Sequence, residues 1–277
     1  MDIPQRKLGK TGIAVTILGL GGEGILRTVG YDKEAYALIN RALDLGVSYF
    51  ESARAYADSE SYYGSALKER RRDIFLTSKS HARSRKGALL HLEETLKNMD
   101  SDFLDLWQIH DVRTDEEIEE IFGPEGAIEA FVEAREKGLV RFIGITGHHN
   151  PTITKRCIES FDFDTVLVPI NPAEPYQKSF IAEIIPIANR KKMGIIGMKI
   201  YLRGMASRLQ KYVSVESFYR YALSHPISTG VIGCDSIEQL EQNVSFAELF
   251  EPLDDTEKRE LEAIVAPYAR QLMYYKP

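Results

Sequence analysis

The sequence predicts an α/β fold: a (β/α)8 TIM barrel with an N-terminal β-hairpin and an extra C-terminal helix. Two observations carry the prediction. Short apolar runs alternate, through eight units, with stretches whose apolar residues fall at helical spacing. Three of the runs, YFESARAY at 49–56, FLTSKS at 75–80 and LWQIH at 106–110, recur about thirty residues apart and each ends in a reactive side chain. In such a barrel successive strand ends open onto one face. Glu51, Tyr56, Lys79 and His110 are therefore expected to converge there.

The elements follow in order. Residues 6–16 hold two strand-like pieces around the turn signal from Gly9 to Gly12 and read as the hairpin. Residues 17–22 (ILGLGG) read as the first barrel strand. Ala35, Leu38, Ile39, Ala42 and Leu43 share one helical face over 33–45, and Gly46 is the stop. Tyr49 and Phe50 enter the second strand. A helix over 59–68, a strand over 74–78, a helix over 85–99 and a strand over 103–109 come next, and 111–125 reads as a loop. The second half repeats the alternation: helix 126–137 stopped by Gly138, strand 142–146, helix 151–159, strand 165–170, helix 179–192, strand 194–198, helix 215–224, a short strand 230–232 and helix 236–247. Residues 254–270 are the extra helix. Nearly continuous apolar strands suit a parallel sheet covered by helices. No linker or low-complexity tract divides the chain, so 1–277 reads as one domain.

Bulk properties narrow the function. A net charge of -6 argues against a general nucleic-acid binder. The basic runs Arg70, Arg71, Arg72 and Arg190, Lys191, Lys192 read as solvated helix ends. Cys157 and Cys234 make no CxxC pair or disulfide framework, which points to a reducing compartment, and two thiolates are too few for an all-cysteine iron–sulfur cluster. The N-terminal residues lack the apolar core of a signal peptide, and no apolar run approaches a membrane span. The expectation is a cytoplasmic protein without membrane or nucleic-acid partners; nothing fixes its oligomeric state.

The four converging side chains suit proton transfer. A free tyrosine, with a pKa near ~10, is a poor acid at neutral pH. A neighbouring Lys79 ammonium is expected to favour the phenolate and lower that pKa. Glu51 can pair with Lys79, and His110 can hydrogen-bond a substrate oxygen. These groups manage a proton but supply no electrons, so a carbonyl reduction needs hydride from a cofactor.

The chain resembles the aldo-keto reductases, from the hairpin to the last strand–helix unit. LGKTGIAVTILGLGG is similar to that family's hairpin and first strand. ESARAYADSESYYG matches its second-strand motif, including Glu60 and Gly64. Lys79 and His110 fall at the family's catalytic lysine and histidine, IGITGH resembles the strand-five motif, and VIGCDSIEQLEQN the cofactor segment after strand eight. The resemblance implies NAD- or NADP-dependent reduction of a small aldehyde or ketone. By position it makes Tyr56 the acid, Lys79 its activator, Glu51 the lysine's partner and His110 the carbonyl orienter. It places Gly22, Thr146, Met198, Lys199, Tyr201, Leu202, Gly233, Cys234, Asp235, Gln239, Gln242 and Asn243 around the cofactor, and no metal.

Departures from the family pattern stand out. Glu51 replaces the usual aspartate. Thr146 and Gly147 replace the serine–asparagine pair that grips the nicotinamide amide, Leu167 stands for a glutamine and Met198 for a stacking tyrosine. Gly233 and Gln239 occupy positions where NADP-preferring members carry lysine and arginine. Asp235 would repel a 2′-phosphate but suits a ribose hydroxyl. Lys199 or Arg203 can restore phosphate binding, so the choice between NAD and NADP stays open. Alternative readings are a dinucleotide-binding barrel that acts on a partner with little turnover, and a metal-dependent hydrolase supported only by His148 and His149. Substrate choice is assigned to loops such as 111–125 and to the tail around Tyr274 and Tyr275.

Overall fold

The structure, a computed structural model, describes residues 2–209 and 214–276. Two short strands, β1 (Gln5–Lys7) and β2 (Ala14–Thr16), pair antiparallel as the hairpin. Eight more follow: β3 (Leu18–Gly24), β4 (Tyr49–Glu51), β5 (Phe75–Ser80), β6 (Leu104–Ile109), β7 (Val140–Thr146), β8 (Thr165–Pro169), β9 (Gly194–Met198) and β10 (Thr229–Cys234). They run parallel, each beside its sequence neighbour, and β10 closes the barrel on β3. Helices connect the strands on the outside, as a right-handed β–helix–β crossover requires.

Period-two alternation sorts the side chains. Tyr49, Phe75, Leu106, Leu167, Ile196, Met198 and Val231 point inward and pack in one cluster with Leu8 and Val15 of the hairpin. The hairpin thus forms the barrel floor. Gly9 makes the fit: a Cβ there would lie 2.1 Å from the backbone nitrogen of Gly194, and its φ is +51°. The Lys10 N–H bonds the Lys192 carbonyl at 2.6 Å beside it. Outward residues meet the helices, as where Trp107 stacks on Phe131 with ring centroids 3.6 Å apart.

Four expectations need correction. The loop over 111–125 contains a helix, Asp115–Phe122, whose N-cap Thr114 accepts from the Glu117 N–H. The helix expected over 179–192 is broken into Phe180–Glu183 and Ile185–Arg190; Pro186 lacks the N–H that would bridge them. The C-terminal helix ends at Val265 and continues as the 3-10 turn Ala266–Tyr268 and the short helix Ala269–Leu272. Arg71 is buried rather than solvated. It pairs with Asp105 at 2.9 Å and lies 4.2 Å from the Phe103 ring, so a partner distant in sequence draws it inward. Among the described residues no helix is long and apolar enough to cross a membrane.

Candidate active site

Strand register gathers the reactive groups. Glu51 pairs with Thr77 across β4 and β5, and Lys79 with Gln108 across β5 and β6, which sets both charges at the C-terminal rim. Beyond β4 the chain keeps to the edge of β5: the Ser52 N–H donates to the Thr77 carbonyl and the Arg54 N–H to that of Lys79. A turn from Ala53 to Tyr56, closed by the Tyr56 N–H on the Ala53 carbonyl, then brings the phenol back over the strand ends. Gly22 leaves the space, since a Cβ there would lie 3.0 Å from Tyr56 Cδ2 and 2.7 Å from the Glu51 carbonyl oxygen. Buried Glu60 ties the following helix down by accepting from Ser78, Thr95 and Arg54.

Lys79 is wholly buried. Its ammonium lies 2.7 Å from Glu51 Oε1, donates to the Ser52 carbonyl at 2.9 Å, and sits 4.8 Å from the centre of the Tyr56 ring. Glu51 Oε2 has no hydrogen-bond partner, although the Gln108 amide lies beside the carboxylate. Burial pushes Glu51 up and Lys79 down, and each opposes the shift of the other. Tyr56 contradicts the expected lowering. Burial first, then the Glu51 carboxylate, push its phenol well above the usual range. Glu51, 2.7 Å from the Lys79 ammonium, opposes the lowering that the ammonium alone would produce in the phenol.

His110 meets the Tyr56 ring edge-on with centroids 5.9 Å apart, and His148 lies 5.7 Å beyond it. Burial holds both imidazoles well below their ordinary pKa, helped by Lys79 for His110 and by Lys199 for His148. Both are neutral donors at neutral pH. His148 Nε2 is buried without a partner, whereas His149 turns away to Asp111 at 3.4 Å. The two adjacent rings therefore do not face one ion. His81 packs on His91, with centroids 4.6 Å apart, away from the cleft.

A cleft of about 870 Å³ runs from Tyr56 and Glu51 to the helix Ile237–Glu248, within the size of small-molecule sites. Gly22, Met198, Lys199, Tyr201, Gly233, Asp235, Gln239, Gln242 and Asn243 line it, as do Glu51 and Tyr56. Lys79 and His110 lie just behind that wall. Thr146, Leu202 and Cys234 are buried off it: the Thr146 hydroxyl accepts from the Asp111 N–H at 2.7 Å, and the Cys234 thiol, pushed up to about 12 by burial, accepts from Asn243 at 3.4 Å. The Asn243 carbonyl accepts from Tyr201 at 2.8 Å. Leu167 packs in the barrel interior.

Other lining residues were not singled out for the site by sequence reasoning: Glu23, Arg27, Ile200, Val215 and His148. A charged residue between Gly22 and Gly24 was the available signal for Glu23. Its carboxylate joins Arg27 at 2.9 Å and Arg203 at 3.0 Å, and these cations hold it below the usual carboxylate range. Lys199 has no carboxylate partner within salt-bridge distance among the described residues; burial brings its pKa down to about 8. The donor set suits a nicotinamide dinucleotide. Lys199, Arg27 and Arg203 offer positive charge for a diphosphate, Asp235 and Gln242 offer polar contacts for a ribose and base, and Met198 offers an apolar surface for the ring.

A proton-handling cluster at the C-terminal rim of a closed parallel barrel, opening into a long mixed-charge cleft, is the arrangement of a barrel enzyme's active site. The chain belongs to the aldo/keto reductase family, whose model matches residues 17–218. An uncharacterized oxidoreductase of Bacillus subtilis, YqkF, is 24% identical over 88% of this chain and 90% of its own length. L-galactose dehydrogenase of Arabidopsis thaliana is 24% identical, covering 96% and 95%. The holo form of aldo-keto reductase AKR11C1 from Bacillus halodurans shares the fold with a TM-score of 0.80 at 23% identity, covering 95% of this chain and 96% of that one.

Proposed function

We propose that the protein reduces a small aldehyde or ketone, taking hydride from a nicotinamide dinucleotide and the proton from Tyr56. The observation that carries the reading is the contact of the buried Glu51–Lys79 pair with the Tyr56 ring at the mouth of the cleft. Relatives named as a methylglyoxal reductase and an L-galactose dehydrogenase support a small polar carbonyl substrate. A bound dinucleotide would supply hydride at its nicotinamide ring. Met198 would offer that ring an apolar surface, and Lys199, Arg27 and Arg203 would offer the diphosphate positive charge.

The residues act as follows. His110, neutral, donates a hydrogen bond to the carbonyl oxygen and fixes its direction. Tyr56 stays protonated because its pKa is raised, and the phenol is the form that reduction requires. Negative charge growing on the substrate oxygen draws the phenolic proton across. Lys79, anchored by Glu51 and the Ser52 carbonyl, compensates the phenolate left behind. Replacing Tyr56 with phenylalanine is expected to cut carbonyl-dependent cofactor oxidation about 10²–10⁴-fold, read by cofactor absorbance; undiminished turnover would remove Tyr56 as the acid.

A dinucleotide-binding barrel with little turnover is the second reading. It is favoured by the ends of β7 and β8, where the Thr146 hydroxyl is engaged by the Asp111 N–H and Leu167 offers no amide. Tight dinucleotide binding without oxidation on a broad carbonyl panel is the result that selects it.

A further inference from the structure

The C-terminal tail is held more firmly than a chain end requires. Lys276 has all three ammonium donors filled: Glu174 Oε2 at 2.7 Å, the Gln177 carbonyl at 2.9 Å and the Lys178 carbonyl at 2.8 Å. Neither the Lys276 nor the Glu174 side chain is exposed. Glu174 also accepts from the Tyr275 hydroxyl at 2.7 Å and the Phe180 N–H at 3.0 Å. This lock fixes Tyr275 between two elements. Asn171, just past β8, donates to the Tyr275 hydroxyl at 3.0 Å and to the Lys199 carbonyl at 3.3 Å. The Tyr275 ring lies 5.0 Å from the Lys199 ammonium. Lys199 sits at the end of β9 with φ of +55°, a left-handed conformation that lysine adopts only when its surroundings impose it.

We propose that Tyr275 and Lys276 are positioning residues for dinucleotide binding: the Glu174–Lys276 lock holds the Tyr275 ring against Lys199, which aims its ammonium into the cleft at the dinucleotide's diphosphate. The inference rests on the cofactor reading above. Glu23, Arg27, Arg203, Asp111 and His148 also act on Lys199. Glu23 is engaged by the two arginines, and Asp111 by Arg113 and His149. Among the described residues no carboxylate pairs with Lys199 within salt-bridge distance, and a largely buried ammonium without a close counter-ion favours an anionic ligand. The aromatic face keeps the ammonium charged and pointed without neutralising it.

The test is equilibrium binding of NADH and of NADPH to the intact protein, followed by nicotinamide fluorescence from about pH 6.5 to about 9.5. In the unmodified protein, affinity for the better dinucleotide is expected to stay level below about pH 8 and to fall above it, as the Lys199 ammonium loses its charge. Tyr275→Leu keeps apolar bulk but removes the ring; it is expected to raise Kd about tenfold and flatten the pH step. Tyr275→Phe restores most of the affinity. The decisive comparison is a double-mutant cycle: in a Lys199→Met background, Tyr275→Leu changes Kd no further. Lys276→Met follows Tyr275→Leu in direction, and where it fails to fold the Tyr275 cycle decides. A Tyr275→Leu effect of equal size with and without Lys199, or none at all, overturns the proposal. A protein that binds neither dinucleotide overturns the cofactor reading and this inference with it.

Discussion

Two buried glutamate–lysine pairs in this molecule have the same 2.7 Å separation and opposite character. At Glu174–Lys276 every donor and acceptor is used, and both chains lie away from the cleft. At Glu51–Lys79 one carboxylate oxygen has no partner, and the ammonium spends its remaining side on the face of Tyr56. Burial of a charge pair is expensive unless the remaining hydrogen bonds are made. A fully satisfied pair therefore holds structure, whereas an incomplete one keeps unspent electrostatic capacity where a reaction can use it.

That contrast can be broken at either end. The largest effect is expected from Lys79→Met, which removes the charge under Tyr56: kcat should fall about 10²–10⁴-fold in steady-state assays while dinucleotide affinity changes little. Its stability cost should be the smaller of the two pairs, since Lys79 donates to one backbone carbonyl where Lys276 donates to two, while burial pushes Glu51 and Glu174 up alike. Lys276→Met inverts the pattern. It leaves Glu174 buried beside the Tyr275 hydroxyl and should cost about 3–5 kcal/mol in denaturant melts. Replacing Glu174 and Lys276 together with methionine should recover most of that loss.

The pH dependence sharpens the comparison. Because the Tyr56 pKa is raised, carbonyl reduction, which needs the phenol, should stay level with rising pH until the phenol ionises. Alcohol oxidation needs the phenolate and should climb about tenfold per pH unit over the same interval. A reduction rate that falls between about pH 7 and 8 would show a phenol pKa that is lowered instead. The smallest effect belongs to Lys199→Met. Burial holds the Lys199 pKa at about 8, below its unfolded value, so its charge opposes folding below that pH. The substitution should stabilise the protein by on the order of 1 kcal/mol near pH 7. The gain should shrink as pH rises through 8, where the lysine sheds its proton without help.

What could be read from the chain followed sequence-local rules. Glu51, Lys79 and His110 were legible because each ends an apolar run, and the β/α period brings such ends together. Tyr56 was legible as a position but not in its acidity: Glu51 was read as the lysine's partner, but the burial that raises the phenol, with that carboxylate adding to it, is set only by the closed barrel. The helix Asp115–Phe122 carried its own signal in Thr114 and Glu117, the spacing of a capped N-terminus. Arg71 with Asp105, and Lys276 with Glu174, join residues that only the closed barrel makes neighbours. No periodicity announces such pairs. The same holds for His148, adjacent in sequence to His149: its Nε2 is buried without a hydrogen-bond partner, whereas the His149 ring turns to Asp111.

The hairpin floor has a consequence for the site. With Leu8 and Val15 packed into the lower barrel and Gly9 pressed on Gly194, the barrel has a stopper at its base. Among the described residues the cleft lies at the opposite rim, beside Tyr56, so the floor braces the strands from below and leaves their C-terminal ends to carry the site.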